Sequence, residues 1–243
     1  MPLNVLGVIP ARLASTRLPR KVLREIAGQP MIQHVWERAR RSPHLTDLLV
    51  ATDAQEVLDV CRARGIPALL TAPDHPSGSD RVWEVAQGRA ADVYVNIQGD
   101  EPLVTPGHVA RLVEPFLVSP ATQVSTLKIR ARDADIANPN VVKVVCDVDG
   151  RALYFSRSTI PHDRDGTGAP VWRHFGLYAF RRAALEAFHA LPPSSLEQAE
   201  RLEQLRWLEH GLPITVVETT EPTVGVDTEE DLRAVEALLA RGA

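Results

Sequence analysis

The distribution of apolar and polar residues divides the first half of the chain into alternating strand-like and helix-like segments. Short apolar runs with the length of buried strands occupy residues 5–9, 48–52, 68–71 and 93–98. Apolar residues at helical spacing lie between them, on one face at Ile32, Val35, Trp36 and Ala39 and in segments 54–64 and 81–87. This alternation predicts right-handed βαβ units, and therefore an α/β fold with a mostly parallel, Rossmann-like sheet and helices on both faces.

The pattern changes after about residue 119. Longer and closely spaced strands are predicted at residues 124–130, 141–155 and 174–180, with a hairpin turn at Asp149 and Gly150. A helix at 196–210, a strand at 214–218 and a closing helix from Thr228 follow. Residues 162–170 (HDRDGTGAP) are typical of a flexible loop. We therefore expect a single domain, residues 1–243, with an inserted antiparallel β lobe at about 120–190.

The composition limits the classes of protein. A chain of 243 residues, 44% hydrophobic and 24% charged, is typical of one globular domain. The net charge of −4 argues against a broad nucleic-acid-binding surface but permits a local basic pocket. Cys61 and Cys146 lie far apart in apolar patterns, which favours core positions in a reducing compartment, and no Cys/His cluster indicates zinc. With neither a signal-peptide pattern nor a membrane-length apolar run, we expect a cytoplasmic protein without a membrane or nucleic-acid partner.

A cationic loop follows the first predicted strand. Residues 8–23 (VIPARLASTRLPRKVL) contain Arg12, Arg17, Arg20 and Lys21, but neither of the common nucleotide-binding glycine motifs. In an open parallel sheet, ligands bind at the carboxyl ends of the strands. Arginines there can each donate two hydrogen bonds to phosphate oxygens, and Lys21 offers a compact charge for the oxygen that gains charge when a phosphorus–oxygen bond breaks. The loop predicts a polyphosphate site, with scattered surface cations as the alternative.

Two other segments supply carboxylates. Asp100 follows the strand-like run 93–98 in a sharp Gly-Asp-Glu-Pro turn, and one exposed carboxylate can hold Mg²⁺ when waters and phosphate oxygens complete the octahedron. Asp227 precedes the last predicted helix and is a candidate second ligand. The alternative for Asp227 is a helix N-cap with a glutamate at N3. Glu197 is better explained by a capping box with Ser194 than by catalysis.

Residues 74–81 (DHPSGSDR) are predicted to form a loop that enters a helix. Ser77, Gly78 and Ser79 combine small side chains with accessible backbone, so this segment can approach a flat ring closely and form hydrogen bonds with its edge. A generic N-cap turn is the alternative.

Eight motifs occur in order across almost the whole chain: IPARLASTRLPRK, SGSDR, VNIQGDEP, NPNVVKVV, ALYFSRSTIPHDRD, RHFGLYAF, LEQLRWLEHG and GVDTEEDL. Together they resemble the 3-deoxy-manno-octulosonate cytidylyltransferases, a family of sugar-activating nucleotidyltransferases. The specificity lies in the conjunction, because IPAR variants occur throughout related nucleotidyltransferases. The resemblance implies a nucleotidyltransferase sheet, and a reaction in which CTP and the acidic sugar 3-deoxy-D-manno-octulosonate (Kdo), with Mg²⁺ as cofactor, give CMP-Kdo and pyrophosphate for lipopolysaccharide biosynthesis.

The resemblance also implies residue roles. It assigns catalysis to Lys21, Arg12, Asp100 and Asp227, with the two aspartates as the metal ligands. The CTP-binding residues would be Ala11, Arg12, Arg17, Lys21, Thr71, Ser77, Gly78 and Arg81. The sugar-binding residues would be Gln98, Arg157, His174, Tyr178, Glu203 and Gln204. Arg157 can bind the sugar carboxylate with two hydrogen bonds, whereas the other members of this set suit hydroxyl groups.

Without the resemblance, several of these residues have ordinary explanations. His174 would be a strand histidine with satisfied hydrogen bonds and Tyr178 a core residue. Glu203 and Gln204 would be solvated residues of a helix.

The sequence departs from the family pattern at two positions. The first loop usually reads Leu-Pro-Gly-Lys, whereas here Arg20 replaces the glycine, so the turn must tolerate a side chain or shift. The second motif usually reads Ser-Gly-Thr-Glu-Arg, whereas here Ser79 keeps the hydroxyl and Asp80 carries the charge on a shorter stem. We expect activity to survive both changes.

The implied mechanism is an in-line attack by the anomeric C2 hydroxyl of Kdo on the α-phosphorus of CTP. One Mg²⁺ held by Asp100 and Asp227 would activate that hydroxyl, a second could lie on the triphosphate, and no residue stands out as a general base. A cytidylyltransferase for a related acidic sugar, such as 8-amino-Kdo or sialic acid, and a non-catalytic nucleotide-sensing domain are the alternatives. The resemblance and the antiparallel strands also predict a homodimer, with the lobe at about 120–190 in dimerisation and sugar binding.

Overall fold

The computed structural model describes residues 3–15 and 17–241. The strands are β1 (Val5–Ala11), β2 (Glu25–Ile26), β3 (Gln29–Pro30), β4 (Asp47–Thr52), β5 (Ala68–Leu70), β6 (Val93–Asn96), β7 (Val124–Arg130), β8 (Lys143–Cys146), β9 (Ala152–Ser156), β10 (Trp172–Arg181) and β11 (Thr215–Glu218). The helices are α1 (Met31–Ala39), α2 (Gln55–Ala63), α3 (Gly78–Gly88), α4 (Pro106–Val118), α5 (Asp133–Ile136), α6 (Arg182–Ala190), α7 (Ser195–Glu200), α8 (Gln204–Glu209) and α9 (Glu229–Ala240). The chain divides into two compact units, one made of the described residues up to Ala110 and from Thr223 onward, the other of Arg111–Pro222.

The first unit contains a parallel sheet in the order β5–β4–β1–β6. β1 lies inside this sheet, and Val8 and Ile9 have no exposed surface because helices and neighbouring strands cover both faces. The predicted α/β fold with a mostly parallel sheet is confirmed. Polar loops leave the carboxyl ends of β1, β4, β5 and β6, as the sequence pattern predicts.

The second unit contains the strand order β11–β7–β10–β8–β9, in which only the β11–β7 pair is parallel. The predicted turn at Asp149 and Gly150 joins β8 to β9, and Gly150 has φ of +78°. The register of β10 on β7 shifts between Phe175 and Tyr178, where the chain forms a bulge. The antiparallel strands predicted for residues 124–180 are therefore present.

The predicted continuous helix at 196–210 is wrong. The structure has two short helices, α7 and α8, because Arg201 adopts a left-handed conformation (φ 56°, ψ 47°) that ends α7. Glu197 forms the predicted capping box with Ser194, and its carboxylate also pairs with Arg206 of α8 at 2.5 Å. The sequence pattern also left β2, β3, α4, α5 and α6 unassigned.

The loop at 162–170 is organised around one carboxylate. Asp163 accepts hydrogen bonds from the backbone N–H groups of Thr167, Gly168 and Ala169 at 2.8 to 3.1 Å.

Among the described residues, no helix has the length and apolar content that a membrane crossing needs.

Aromatic rings form much of the core of the second unit. Trp207 has no exposed surface and stacks on Phe180 and Phe188, with ring centroids 5.3 and 4.1 Å apart. His174 lies beside this group, 4.8 Å from the Phe155 ring, and its Nε2 is 2.9 Å from the Thr126 hydroxyl. Burial, with a smaller contribution from Arg173, lowers the pKa of His174 to about 3, so the native state holds this imidazole neutral.

This burial generates a prediction about acid stability. An unfolded histidine has a pKa near ~6.5, so below that pH the unfolded state takes up a proton that native His174 does not. The free energy of unfolding therefore does not depend on His174 titration above about pH 6.5, and it decreases as the pH falls from there toward 3. Between pH 7.5 and 5, wild type should lose about 2 kcal/mol more unfolding free energy than His174→Gln, measured by urea denaturation. Replacement of the exposed His162 by Gln is the control, and equal losses in wild type and His174→Gln would contradict the prediction.

Arg20 generates a prediction about backbone strain. Its backbone is left-handed (φ 58°, ψ 32°), the conformation that glycine adopts without a Cβ penalty. Its guanidinium pairs with Glu56, but both side chains are well exposed, so this ion pair is worth at most about 1 kcal/mol. Arg20→Ala removes the pair and keeps the strain, whereas Arg20→Gly removes both. The unfolding free energy of Arg20→Gly should exceed that of Arg20→Ala by about 1 kcal/mol, and the reverse order would contradict this account.

Candidate active site

The cationic loop between β1 and a short 3₁₀ turn at Lys21–Leu23 meets two acidic segments of the first unit. Lys21 Nζ donates hydrogen bonds to Asp100 Oδ2 at 2.5 Å and to Asp227 Oδ1 at 3.0 Å. Arg17 Nη2 also lies 3.0 Å from Asp227 Oδ1. The two carboxylate oxygens are therefore no further apart than the sum of the two Lys21 distances, close enough for one cation to contact both.

Apolar packing brings these distant segments together. One buried cluster takes Leu18 from the cationic loop, Leu103 from the segment after Asp100, and Val226 from the residue before Asp227. Leu232 and Val235 of α9 complete this side of the cluster. The backbone N–H of Val226 also donates to the Asp100 carbonyl at 2.9 Å. Burial of apolar surface thus fixes the positions of three polar groups.

Asp227 is not the cap of the last helix. Thr228 is the N-cap of α9, and it forms a capping box with Asp231 at N3. The alternative expectation, with Asp227 as the N-cap and a glutamate at N3, is wrong, because the helix begins one residue later. Because Thr228 and Asp231 satisfy the helix end, the Asp227 carboxylate is available to Lys21 and Arg17.

The electrostatics keep Lys21 charged. Its side chain is only 14% exposed, and this burial by itself would lower the pKa of Lys21. The charges and hydrogen bonds of Asp100 and Asp227 outweigh burial, so the pKa of Lys21 is raised above its ordinary value. The ammonium therefore stays protonated at any physiological pH.

An open pocket of about 230 Å³ lies at this place. Its walls include Arg12, Lys21, Gly78, Gln98 and Asp100, all of which were candidate site residues. The structure adds Pro10, Ala14, Ser15, Val22 and Gly99 to the wall. Ala11, Arg17, Thr71, Ser77, Arg81 and Asp227 are not among its lining residues.

Gly99 fits a close approach of two backbone segments. A Cβ on Gly99 would come within 2.7 Å of the Pro10 carbonyl oxygen at the end of β1. Any larger residue would therefore force the loop that carries Gln98 and Asp100 away from β1.

Arg81 is linked to the cationic loop through Asp53. Its side chain is completely buried, it bonds the Thr71 hydroxyl, and its Nη2 donates to Asp53 Oδ2 at 3.3 Å. Asp53 Oδ1 in turn accepts from the backbone N–H of Leu13 at 3.4 Å. Burial lowers the pKa of Arg81, although the Asp53 charge opposes this shift. Thr71 and Arg81 thus meet each other, whereas Arg12 reaches the Pro76 carbonyl at 3.4 Å.

Ser77 caps helix α3. Its hydroxyl accepts from the Asp80 backbone N–H at 3.1 Å and donates to Asp80 Oδ2 at 2.6 Å. The shorter Asp80 side chain, one of the two departures from the family pattern, therefore reinforces the helix start. The capping interpretation of this segment is confirmed. Gly78, the next residue, lies at the pocket wall.

The candidate sugar-binding residues other than Gln98 belong to the second unit. His174 and Tyr178 lie on β10 with ring centroids 5.5 Å apart, and both are buried. Burial, with a smaller contribution from Glu203, raises the pKa of Tyr178 well above its ordinary value. Gln204 is buried at the start of α8, directly after its N-cap Glu203. The burial of His174 and Tyr178 agrees with their ordinary explanation as strand and core residues, whereas Gln204 is not the solvated helix residue that an isolated motif would suggest.

Arg157 is held by backbone carbonyls. Its Nε donates to the Glu200 carbonyl at 2.8 Å and its Nη1 to the Pro139 carbonyl at 3.2 Å. Its backbone N–H donates to the Glu200 carboxylate at 3.0 Å. Among the described residues, no acceptor bonds its Nη2.

The donor set for a metal ion is small. Among the described residues, no group of three or more histidines, cysteines, aspartates and glutamates could hold a metal. Asp100 and Asp227 form a pair of hard oxygen donors that already contact one cation, the Lys21 ammonium. Such a pair fits Mg²⁺, which uses one or two carboxylates and takes its remaining ligands from water and phosphate.

Sequence reasoning gave no role to three supporting residues. Asp53 directly follows β4, and its position at a strand end beside a cationic loop was the available signal. Lys143 is a single lysine within the apolar run VVKVV, which is unusual for a buried strand. Glu200 gave no signal, because its contacts depend on the break between α7 and α8.

Comparisons with known proteins identify the family of the chain. The cytidylyltransferase family model matches residues 6–218. The 3-deoxy-manno-octulosonate cytidylyltransferase of Acidobacterium capsulatum is 60% identical over 98% of this chain and 97% of its own length. The one of Koribacter versatilis is 55% identical over 97% of this chain and 90% of its own length.

A solved structure is also similar over the whole chain. CMP:2-keto-3-deoxy-manno-octonic acid synthetase complexed with CTP is 44% identical and has a TM-score of 0.95. The alignment covers 99% of this chain and 100% of that one. The chain is a nucleotidyltransferase and belongs to the 3-deoxy-manno-octulosonate cytidylyltransferase family.

Proposed function

We propose that this protein transfers CMP from CTP to the anomeric hydroxyl of Kdo, giving CMP-Kdo and pyrophosphate, for lipopolysaccharide biosynthesis. The observation that carries the proposal is the convergence of Lys21, Asp100 and Asp227 beside a pocket lined by Arg12 and Gly78. Binding of a nucleotide alone needs no paired carboxylates at the phosphates, so the arrangement favours catalysis over nucleotide sensing. The names of the relatives, which are about half identical or more, favour Kdo over other acidic sugars.

The cationic loop suits the triphosphate. Arg12 and Arg17 can each donate paired hydrogen bonds to phosphate oxygens, and Lys21 can stabilise the charge that develops on the departing pyrophosphate. Ala11 supplies a backbone contact, while Gly78 lets the nucleoside approach α3. Ser77, Thr71 and Arg81 support the segments on which these contacts depend. The Ser77 side chain bonds Asp80, whereas the Arg81 side chain bonds Thr71 and Asp53.

Asp100 and Asp227 would hold Mg²⁺. When bound, this ion would lower the pKa of the attacking hydroxyl and neutralise phosphate charge. The protein's part is to hold the two carboxylates close together and to supply Lys21 as a counter-charge when no metal is present. The sequence singles out no dedicated general base, and metal activation of the hydroxyl would make one unnecessary.

The sugar-binding set combines one cation with neutral groups. Arg157 is suited to the Kdo carboxylate, since its Nη2 has no protein partner among the residues described. His174 is neutral, with a pKa of about 3, and Tyr178 stays protonated, so both can form hydrogen bonds with hydroxyls without a change of charge. Gln98, Glu203 and Gln204 add further hydroxyl partners. A site built in this way rejects analogues that lack a hydroxyl, because buried polar groups would be left unpaired.

We infer a cytoplasmic location and a homodimer as well. Both cysteines are unpaired, and burial raises the pKa of Cys61 to about 11, which suits a reducing compartment and gives an inert thiol. The support for a homodimer is the family resemblance together with the well-exposed apolar side chains of Val148 and Leu153 beside and within β9.

The decisive experiment on the function is a substrate panel. The purified protein is incubated with CTP, Mg²⁺ and either Kdo, 8-amino-Kdo or sialic acid, with pyrophosphate release as readout and the product identified by mass. We expect CMP-Kdo and the highest kcat/KM with Kdo, and a lower rate when UTP replaces CTP. Release with another sugar alone would assign the sibling activity, and nucleotide binding without release would indicate a sensing domain.

The carboxylate pair generates a prediction about metal dependence. Asp100→Asn and Asp227→Asn each keep the size of the side chain but remove one charge from the proposed metal site. Each should lower kcat by about 100-fold and shift the Mg²⁺ dependence of CMP-Kdo formation to higher concentration. Asp59→Asn, an exposed carboxylate of α2 that pairs with Arg62, is the control and should behave as wild type. Near-normal turnover of both variants with an unchanged Mg²⁺ requirement would refute this role.

A further inference from the structure

The motif NPNVVKVV (residues 138–145) has no part in the proposed site, yet it contains a completely buried charge. Lys143 has no exposed surface and lies on β8, directly opposite Ser156 of β9. The register therefore places the Lys143 side chain where β9 ends, next to Arg157. A buried lysine needs a specific set of partners, because the charge is costly to remove from water.

Lys143 uses all three of its donors on backbone carbonyls. Nζ donates to Asn138 O at 3.0 Å, to Val141 O at 2.7 Å and to Arg157 O at 2.5 Å. Two of these carbonyls belong to the loop of the motif, and the third belongs to the arginine proposed to bind the sugar carboxylate. One ammonium thus ties this loop to the backbone of Arg157.

The same loop holds the other end of Arg157. Pro139 O, between the two carbonyls that Lys143 binds, accepts from Arg157 Nη1 at 3.2 Å. The turn is shaped by the Asn138 side chain, which accepts from the Asn140 backbone N–H at 2.9 Å. Lys143 therefore fixes both the backbone of Arg157 and the loop that contacts its guanidinium.

Glu200 completes the set from the other side. One carboxylate oxygen accepts from the Ser156 hydroxyl at 2.6 Å, and the other accepts from the Arg157 backbone N–H at 3.0 Å. The Glu200 carbonyl accepts from Arg157 Nε at 2.8 Å. Rotation of the guanidinium plane would break the hydrogen bonds of Nε and Nη1, so these bonds favour one direction for the Nη2 edge.

The hydrogen-bond geometry around Lys143 suits a structural ion rather than a reactive amine. Burial lowers the pKa of Lys143, the Glu200 charge opposes this, Arg157 adds to the lowering, and Asp135 opposes it weakly. Its three acceptors are carbonyls that point at it from separate segments, a geometry that suits an ammonium with three N–H donors.

We propose that Lys143, Ser156 and Glu200 are positioning residues that hold the Arg157 guanidinium ready for the carboxylate of an acidic sugar. None of the three touches the substrate; each acts through Arg157. The inference rests on the proposed function, and it gives the NPNVVKVV motif a role in sugar recognition. A preorganised arginine binds with less loss of side-chain entropy than a mobile one.

The test is the effect of Lys143→Met on the two Michaelis constants, measured by pyrophosphate release with Kdo and CTP. The variant should raise the KM for Kdo by about 10- to 100-fold, because a misplaced guanidinium loses its geometry, and leave the KM for CTP unchanged. A general loss of folded protein would lower the apparent kcat without this selective change in KM. Ser125→Ala, which removes a buried hydroxyl bond to the Leu112 carbonyl in the same unit, is the matched control and should leave both constants unchanged.

Combination with Arg157→Ala tests whether Lys143 acts through the arginine. Arg157→Ala alone should raise the KM for Kdo, and addition of Lys143→Met should then change it little. If Lys143→Met gives no folded protein, Ser156→Ala is the deciding variant. It should raise the KM for Kdo by about 3- to 10-fold, which corresponds to the loss of one hydrogen bond.

Several results would overturn the inference. They are an unchanged KM for Kdo in the deciding variant, full additivity with Arg157→Ala, or no effect of Arg157→Ala on the KM for Kdo. In each of these cases an active wild-type enzyme leaves the proposed function standing. Absence of pyrophosphate release from CTP and Kdo by the wild type would instead overturn the proposed function, and the inference with it.

Discussion

The contact of one ammonium with two carboxylates is the constraint on which the first unit depends. Lys21, Asp100 and Asp227 come from three segments, the last two 79 and 206 residues from Lys21. Like-charged carboxylates at this separation would repel each other without a cation between them. The apolar cluster around Leu18 and Val226 supplies the burial that brings the segments together, and Lys21 makes their polar ends compatible. The packing that folds this unit therefore also places the charges of Lys21, Asp100 and Asp227.

The balance of charge around Lys21, Asp100 and Asp227 also suits the binding of an anionic ligand. Arg12, Arg17 and Lys21 carry three positive charges against the two of Asp100 and Asp227, so a highly anionic triphosphate finds a slight excess of positive charge. Asp100 and Asp227 would hold the proposed Mg²⁺ ion in place of the Lys21 ammonium, which would leave Lys21 to bind phosphate. An ammonium suits such an exchange better than a guanidinium, because it is a compact point charge on a flexible stem.

The sequence was sufficient where local chemistry decides the structure. Alternating apolar runs located the strands of the parallel sheet, and the polar residues at their carboxyl ends led to Lys21 and Asp100. The sequence was not sufficient to predict the structure where the backbone conformation of one residue changes the path of the chain. The left-handed conformation of Arg201 divides the predicted helix at 196–210, and the cap of α9 lies at Thr228 rather than at Asp227. The resemblance alone assigned Arg81 to the nucleotide, and the burial of Arg81 against Asp53 and Thr71 depends on tertiary packing that no local pattern encodes.

The two proposed sets of binding residues differ in their electrostatics. The nucleotide side relies on full charges at a partly open pocket, where water can still screen them. The sugar side buries His174, Tyr178 and Gln204 as neutral groups and keeps one guanidinium, whose plane is fixed by carbonyls. Charge attracts any triphosphate strongly but selects poorly, whereas buried neutral groups bind weakly and select well, because each unmatched group costs a hydrogen bond. On this argument, recognition of the sugar depends more on the rigidity around Arg157 than on the number of its contacts.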